Sequence, residues 1–247
     1  MVIQGIHAFE TRVRMSELGP EGRLLPYRVL EWMQEAAAFA SSEAGYPPDR
    51  FRQMNAAWFI REILLVIEGF AEYGESVRVE TWVSDLRRFR SRREYRVQVG
   101  NRRVAVGQAD WFLLSFAAEP PLLRPLRPDD EMKAAFPIRV EHVVASEQIP
   151  EWPVNASSGE FPTIERSVRP SEIDHNGHVN HTHYLAWFDD HAMSLGNGPL
   201  QSVRLYYEND ARMGEDVSLS CTPAAGGTYH EVRRDGQRLA RAMTRRG

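Results

Sequence analysis

Apolar side chains recur three and four residues apart near the start of the chain, with Val29, Trp32, Met33, Ala36, Ala37 and Ala40 on one helical face. Pro26 suits the first turn of such a helix, so the pattern predicts a long helix buried on one side. A second stripe, Tyr184, Trp187, Phe188, Ala192 and Leu195, follows Asn180 and Thr182, either of which can cap a helix start. Only His191 breaks its apolar face. After each helix the period drops to two: Val77, Val79, Thr81 and Val83 follow Gly74 and Glu75, and Val217, Leu219 and Cys221 follow Gly214 and Glu215. These are half-buried strands. Tyr95, Val97 and Val99, the run from Val104 to Phe116, and the segment RLARAM near the end add further strands. More than half of the 15 prolines lie between Pro120 and Pro162, in a stretch without sustained periodicity that reads as a linker. The expected organisation is a unit over 1–117, a Pro-rich linker over 118–160 running outside, and a second unit over 161–247.

The two units match each other. Laid without a gap over RVRMSELGPEGRLLPYRVLEWM, the segment SVRPSEIDHNGHVNHTHYLAWF repeats Val13, Arg14, Ser16, Glu17, Gly22, Leu30 and Trp32 as Val168, Arg169, Ser171, Glu172, Gly177, Leu185 and Trp187. Each copy reads as a strand, a long buried helix and several antiparallel strands, an α+β arrangement with a sheet wrapped on one helix.

Composition narrows the picture only a little. The chain has 247 residues and a formal net charge of −4, which gives no argument for nucleic acid or an anionic membrane. The single cysteine, Cys221, excludes a disulfide framework and a thiolate metal site and fits a reducing compartment. Its place in a strand predicts a small buried core thiol. No stretch approaches the ~20 apolar residues of a membrane span and no signal peptide is evident, so a soluble cytoplasmic protein is expected. Lys133 is the only lysine, and positive charge is carried by arginine.

The duplication makes one copy a control for the other: residues serving the shared fold should match, whereas residues serving chemistry may differ. The informative differences are polar. Before the second helix stand Asp174, His175, Asn176, Gly177 and His178, where the first copy has Gly19, Pro20, Glu21, Gly22 and Arg23. Asp174, Asn176 and His178 alternate, so in an extended segment they share a face, next to a helix N-terminus with its unpaired N–H groups and partial positive charge. Such a place suits polarising a carbonyl while an acid or imidazole activates water.

The segment SEIDHNGHVNHTHYLAWFDD is similar to the D-x-N-x-H-V-N-x-x-x-Y-x-x-W motif of the acyl-acyl-carrier-protein thioesterases of plants and bacteria. LLPYRVLEWMQEAAAFAS, AAWFIREILLVIE and GESVRVETWV resemble that family's first half, so the likeness covers most of the chain. It implies a tandem hot-dog fold, the first unit accommodating the acyl chain and the second hydrolysing the thioester to free fatty acid and carrier thiol. Asp174, Asn176 and His178 match the motif's acid, amide and histidine. The family's further acid is a glutamate, and Asp210 stands at the matching place, with Ala211 where plant members carry a cysteine. Strand alternation puts Glu208 on the same face as an alternative. In the first copy, Phe70 stands opposite Asp210 and Glu68 opposite Glu208.

The expected mechanism is direct water attack, with His178 and an acid, Asp174 or Asp210, activating the water and Asn176 positioning water or thioester. Backbone N–H groups near Val179, Asn180 and His181 would hold the oxyanion. Trp32, Met33, Phe39 and Trp58 are candidates to line an acyl pocket. Arg87, Arg88, Arg90, Arg92 and Arg93, with Arg102 and Arg103, form a basic cluster that could dock an acidic acyl carrier protein. His175, His178, His181, His183 and His191 gather in a short span, but without the paired-histidine and glutamate spacing of a helical zinc site; neither metal nor cofactor is expected. A homodimer stays open. The alternatives are a coenzyme A thioesterase or dehydratase of the same superfamily, or a non-catalytic acyl-binding module.

Overall fold

A computed structural model describes residues 5–117, 122–153 and 163–247. In chain order its elements are β1 (His7–Arg12), α1 (Pro26–Glu43), α2 (Pro48–Gln53), β2 (Ala56–Ile67), β3 (Ser76–Arg87), β4 (Arg90–Val99), β5 (Arg102–Ala117), β6 (Leu122–Pro125), α3 (Asp130–Ala135), β7 (Thr163–Ser167), α4 (His181–Ser194), β8 (Leu200–Tyr207), β9 (Asp216–Ala224), β10 (Gly227–Arg234) and β11 (Gln237–Arg246). Short 3-10 turns, Met15–Glu17 and Pro170–Glu172, precede the two long helices. The chain divides into two compact units, one holding residues 1–61 and 68–144 and the other 62–67 and 145–247.

The first unit is an antiparallel sheet in which β1 pairs with β3, β3 with β4, and β4 with β5, while β6 folds back on the end of β5. Pro26 occupies the first helical position of α1, and the face expected from periodicity, Val29, Leu30, Trp32, Met33, Ala36 and Ala40, is buried. Helix α1 packs against β3 and β1, and Val77, Val79 and Val97 of β3 and β4 are buried with it. Removing each large apolar side chain from water contributes roughly 1.5–3 kcal/mol, which fixes the helix on the sheet. Phe39 lies off this face, half exposed, and stacks on Phe9 of β1 at 5.4 Å. It therefore covers the outside of α1 instead of lining an interior.

The second unit repeats the plan: the Glu62–Ile67 half of β2 pairs with β8, then come β11, β10, β9 and β7, all antiparallel. Asn180 caps α4, its side-chain oxygen accepting from the Thr182 amide at 3.1 Å and the Thr182 hydroxyl at 3.0 Å. Tyr184, Leu185, Trp187, Phe188 and Ala192 are buried. Leu195, expected on that face, is the exposed residue after the last turn, because the helix stops at Ser194 and Gly196 follows in the left-handed region.

The region 118–160, expected to run outside as a linker, carries structure in its described part. Met132 and Phe136 are buried with Tyr46, Ala56, Val83 and Leu113 in a cluster of the first unit. The Glu141 carbonyl accepts the Trp82 indole N–H at 3.0 Å, and His142 contacts the buried Glu94 carboxylate at 2.8 Å. Prolines had masked this: the segment holds to the sheet through single side chains and carbonyls, which leave no period in the sequence. Residues 118–121 and 154–160 lie outside the described residues.

Candidate active site

The loop between Glu172 and α4 is tied by backbone hydrogen bonds from Asp174 N to His178 O at 2.8 Å, Gly177 N to Asp174 O at 3.0 Å and Asn180 N to Glu172 O at 2.9 Å. The first unit repeats them, from Gly19 N to Arg23 O at 2.8 Å, Gly22 N to Gly19 O at 2.9 Å and Leu25 N to Glu17 O at 3.0 Å. Gly177 and Gly22 sit at φ +80° and +70°, where a side chain is strained, so both positions keep glycine. The loop backbone is thus common to the two copies. What differs is the side chains mounted on it.

Two repeated residues explain why the loop is so firmly set. The Trp187 indole donates to Glu172 at 2.9 Å, and the Trp32 indole donates to Glu17 at 3.1 Å. Each glutamate also caps its own 3-10 turn, accepting from the Arg169 amide at 2.8 Å or the Arg14 amide at 2.7 Å. Burial pushes the Glu172 carboxyl up, but the Arg169 amide, the Trp187 indole and the Arg166 guanidinium outweigh it, and the group ends below the ordinary carboxylate range. The Trp32 indole, expected at an acyl pocket, makes a contact that is present in both units. Met33 is buried on the same helix face, and Trp58 packs partly buried beside the cluster around Tyr46 and Phe136.

On the shared loop, Asp174 is an organiser. Its Oδ1 accepts from the Asn176 amide at 2.8 Å and from the His178 amide at 3.4 Å, and its Oδ2 stands 3.5 Å from the Asn176 side-chain nitrogen. It is not the acid against the histidine ring. That place belongs to Asp210, whose Oδ2 is 3.2 Å from His178 Nε2. Aspartate is one bond shorter than the family's glutamate, yet it reaches, because the Val179 amide donates to the Ala211 carbonyl at 2.8 Å and draws the 210–211 corner to the loop. Arg212 Nε lies 3.5 Å from the same Asp210 oxygen. Both ring and carboxylate remain partly exposed, 32% and 46%, so water can reach the pair. Glu208 is held elsewhere, 2.8 Å from Arg238 Nε, as Glu68 is held by Arg103 in the first unit. Glu208 therefore keeps a structural ion pair common to both copies.

The matching pair in the first unit is Arg23 and Phe70, with the guanidinium 4.6 Å from the ring centroid. A cation over an aromatic face packs the corner there; an imidazole and a carboxylate replace it in the second unit.

The expected oxyanion amides need correction. Val179 N is spent on Ala211 O and Asn180 N on Glu172 O, since these amides hold the loop to its neighbours. His181 is the first residue of α4, and burial depresses its imidazole to about 4, so the ring is neutral near pH 7. His175 is exposed and His191 buried. Among the described residues no three His, Cys, Asp or Glu side chains are arranged to hold a metal ion.

The basic cluster also changes. Arg93 is buried, donating to Thr81 Oγ1 at 3.4 Å, and is removed from any docking surface. Arg90 and Arg92 share Asp110 at 2.5 and 3.0 Å, Arg87 meets Asp85 at 2.8 Å, and Arg102 and Arg103 pair with Glu75 and Glu68. Strand alternation had placed acids beside these arginines, and the ion pairs use up much of the cluster. Arg87 and Arg88, at the tip of the β3–β4 turn, are exposed, as are the ion-paired Arg102 and Arg103.

Sequence reasoning missed the Arg212 contact to Asp210, and it read Tyr184, whose ring is buried, as part of an apolar stripe and as the tyrosine of the motif. The repeated Glu–Trp spacing was legible but not read as a pair.

The chain matches the acyl-ACP thioesterase N-terminal domain over residues 6–122 and the C-terminal domain of the same family over 156–245. It is 23% identical over 226 residues to the chloroplastic palmitoyl-acyl carrier protein thioesterase of Arabidopsis thaliana, covering 87% of this chain and 54% of the relative. To the chloroplastic dodecanoyl-[acyl-carrier-protein] hydrolase of Umbellularia californica it is 22% identical over 245 residues, covering 91% of this chain and 62% of the relative. The chain thus spans less than two thirds of the length of either plant protein. Among solved structures, the 12:0-ACP thioesterase of Umbellularia californica superposes with a TM-score of 0.82 at 21% identity, covering 99% of this chain and 98% of that one. An acyl-ACP thioesterase of Bacteroides thetaiotaomicron gives 0.80 at 17% identity, covering 97% and 96%. The likeness of fold and the two domain matches in order lead to one conclusion: the chain belongs to the acyl-ACP thioesterase family, built as a tandem hot-dog.

Proposed function

We propose that this protein hydrolyses the thioester of a fatty acyl chain on acyl carrier protein, and that the reaction takes place in the second unit. The single observation that carries the reading is the replacement of the Arg23–Phe70 contact by His178 and Asp210 on an otherwise repeated backbone. His178 Nε2 and the Asp210 carboxylate orient and deprotonate a water. The water attacks the thioester carbon, and the resulting tetrahedral intermediate expels the carrier thiol, which takes a proton from the imidazolium. Asn176, fixed by Asp174, offers its side-chain amide to the carbonyl oxygen beside the N-terminus of α4.

The named relatives act on acyl carrier protein thioesters, which favours the same carrier here. Exposed Arg87 and Arg88 are the remaining docking candidates for its acidic surface, and Met33 and Trp58 for contact with the acyl chain. Thiol release should be followed with acyl chains of several lengths, each presented on acyl carrier protein and on coenzyme A. A higher kcat/KM on the carrier protein is expected. Faster turnover on coenzyme A would transfer the activity to that carrier, and tight retention of acyl groups without product would replace hydrolysis by binding.

A further inference from the structure

Two residues past Asp210 the second unit carries Arg212, on a corner whose backbone copies one in the first unit. The Arg212 amide donates to the Glu215 carboxylate at 2.9 Å, and the Glu72 amide to the Glu75 carboxylate at 2.8 Å. Arg234 ties its corner through the Asp210 carbonyl at 3.3 Å and through Glu215, as Arg102 does through the Phe70 carbonyl and Glu75. The side chains can therefore be compared position by position. Phe70 in the first copy becomes Asp210 in the second, and Glu72 becomes Arg212. An acid in the copy without the imidazole–carboxylate pair is a cation in the copy with it.

Holding the fold together does not account for that cation. The Arg212 side chain is 66% exposed, and the nearest acid to its guanidinium among the described residues is Asp210, 3.5 Å from Nε. An exposed pair at that distance stabilises a fold little. His178 Nε2 faces the same carboxylate oxygen at 3.2 Å, so the two nitrogens lie within about 7 Å of each other. The guanidinium thus stands beside the reacting atoms with its terminal N–H donors uncommitted, and it has no lone pair to accept with. What it can take there is an oxygen of the substrate.

Length decides which oxygen. On one side of a fatty acyl thioester the hydrocarbon chain offers no acceptor. On the other, the phosphopantetheine arm of the carrier has an amide carbonyl about 5 Å from the sulfur and a phosphodiester roughly 15 Å from it. A guanidinium this close to His178 reaches the first and not the second.

We infer that Arg212 binds the thiol arm of the substrate, donating through its terminal nitrogens to the amide carbonyl nearest the sulfur. This rests on the proposed hydrolysis in the second unit. Acyl carrier protein and coenzyme A share that amide, so the contact selects pantetheine thioesters over other thioesters and does not tell the two carriers apart. It is made equally before and during the attack of water, so it lowers KM and leaves kcat unchanged.

The test is Arg212→Met, which keeps an unbranched stem and removes the donors. It is read on one acyl chain presented on acyl carrier protein, on N-acetylcysteamine, which retains the amide, and on pentanethiol, which has similar length without it. The expected result is a KM raised about 10-fold on the first two, the scale of one hydrogen bond to a charged group, and unchanged on the third, with kcat kept throughout. Equal losses on all three thioesters would make Arg212 an adjunct of Asp210 and overturn the contact, as would values within about twofold of the parent on all three. A loss confined to acyl carrier protein would assign Arg212 to the carrier's surface and overturn it too. If His178→Ala hydrolyses these thioesters as fast as the parent, the reading beneath it falls instead.

Discussion

His178 Nε2 lies 3.2 Å from Asp210 Oδ2 at the spot where the first unit sets Arg23 over the ring of Phe70. Glu208, the other acid on that strand, is bound to Arg238 at 2.8 Å. The pair therefore singles out Asp210 as the acid that serves the imidazole. Asp210→Asn should lower kcat by about 10²- to 10³-fold, the usual scale of an acid–base contribution, whereas Glu208→Gln should leave kcat near the parent value. Because the Glu208–Arg238 pair is partly exposed, its loss costs about 0.2–1 kcal/mol of stability. Steady-state rates and thermal melts of the two variants separate these roles, and the reverse ranking would reassign the acid.

The second unit also buries an imidazole pair that the first lacks. His230 faces Cys221 across the ladder as Tyr95 faces Thr81 in the first unit, and His230 Nε2 lies 3.0 Å from Thr244 Oγ1. His191 of α4 is 2% exposed, and Arg246 pairs with Asp189 at 2.8 Å. Burial first, then the charges of Arg246 and His191, hold His230 down at about 3. The unfolded chain takes up that proton near pH 6.5. Between those values the unfolded state binds more protons, so stability is full above about pH 6.5 and falls as the pH drops toward 3. His181, held at about 4 by burial, adds to the same slope. Melting temperature should fall steadily from pH 7 to pH 4, and His230→Gln should flatten the slope; an unchanged slope would remove His230 as its source.

Cys221 is 5% exposed and burial pushes its thiol up, so it is protonated and shielded at neutral pH. It lies in β9. Cys221→Ala should keep full activity, and a thiol reagent should modify the folded parent protein slowly without inactivating it. Rapid loss of activity matched to modification of Cys221 would contradict direct attack by water.

How far the chain could be read in advance follows from which contacts leave a pattern. The two helices and the strands around Val77 and Val217 were legible because burial on one face imposes a period of three to four or of two. The loop from Asp174 to His178 stood out as a candidate because duplication supplied a reference for it. Other features depend on side chains meeting across the fold. Nothing in the local pattern of Arg93 distinguishes it from Arg92, yet one is buried and the other pairs with Asp110. The Val179 and Asn180 amides looked available because a helix start leaves such groups unpaired, but the carbonyls that take them belong to Ala211 and Glu172, one distant and one just upstream. Asp210 was found by its place and left uncertain by its length. Only the Val179–Ala211 bond shows how the shorter side chain reaches.

The central claim is that His178 and Asp210 act as one unit in thioester hydrolysis. A double-mutant cycle on kcat with acyl carrier protein substrate, using His178→Ala, Asp210→Asn and the combination, tests it most directly. Groups that act together are non-additive, so the double variant should be no slower than the weaker of the two single ones, each being reduced by about 10²-fold or more. Additive losses, or near-parental turnover in either single variant, would contradict it.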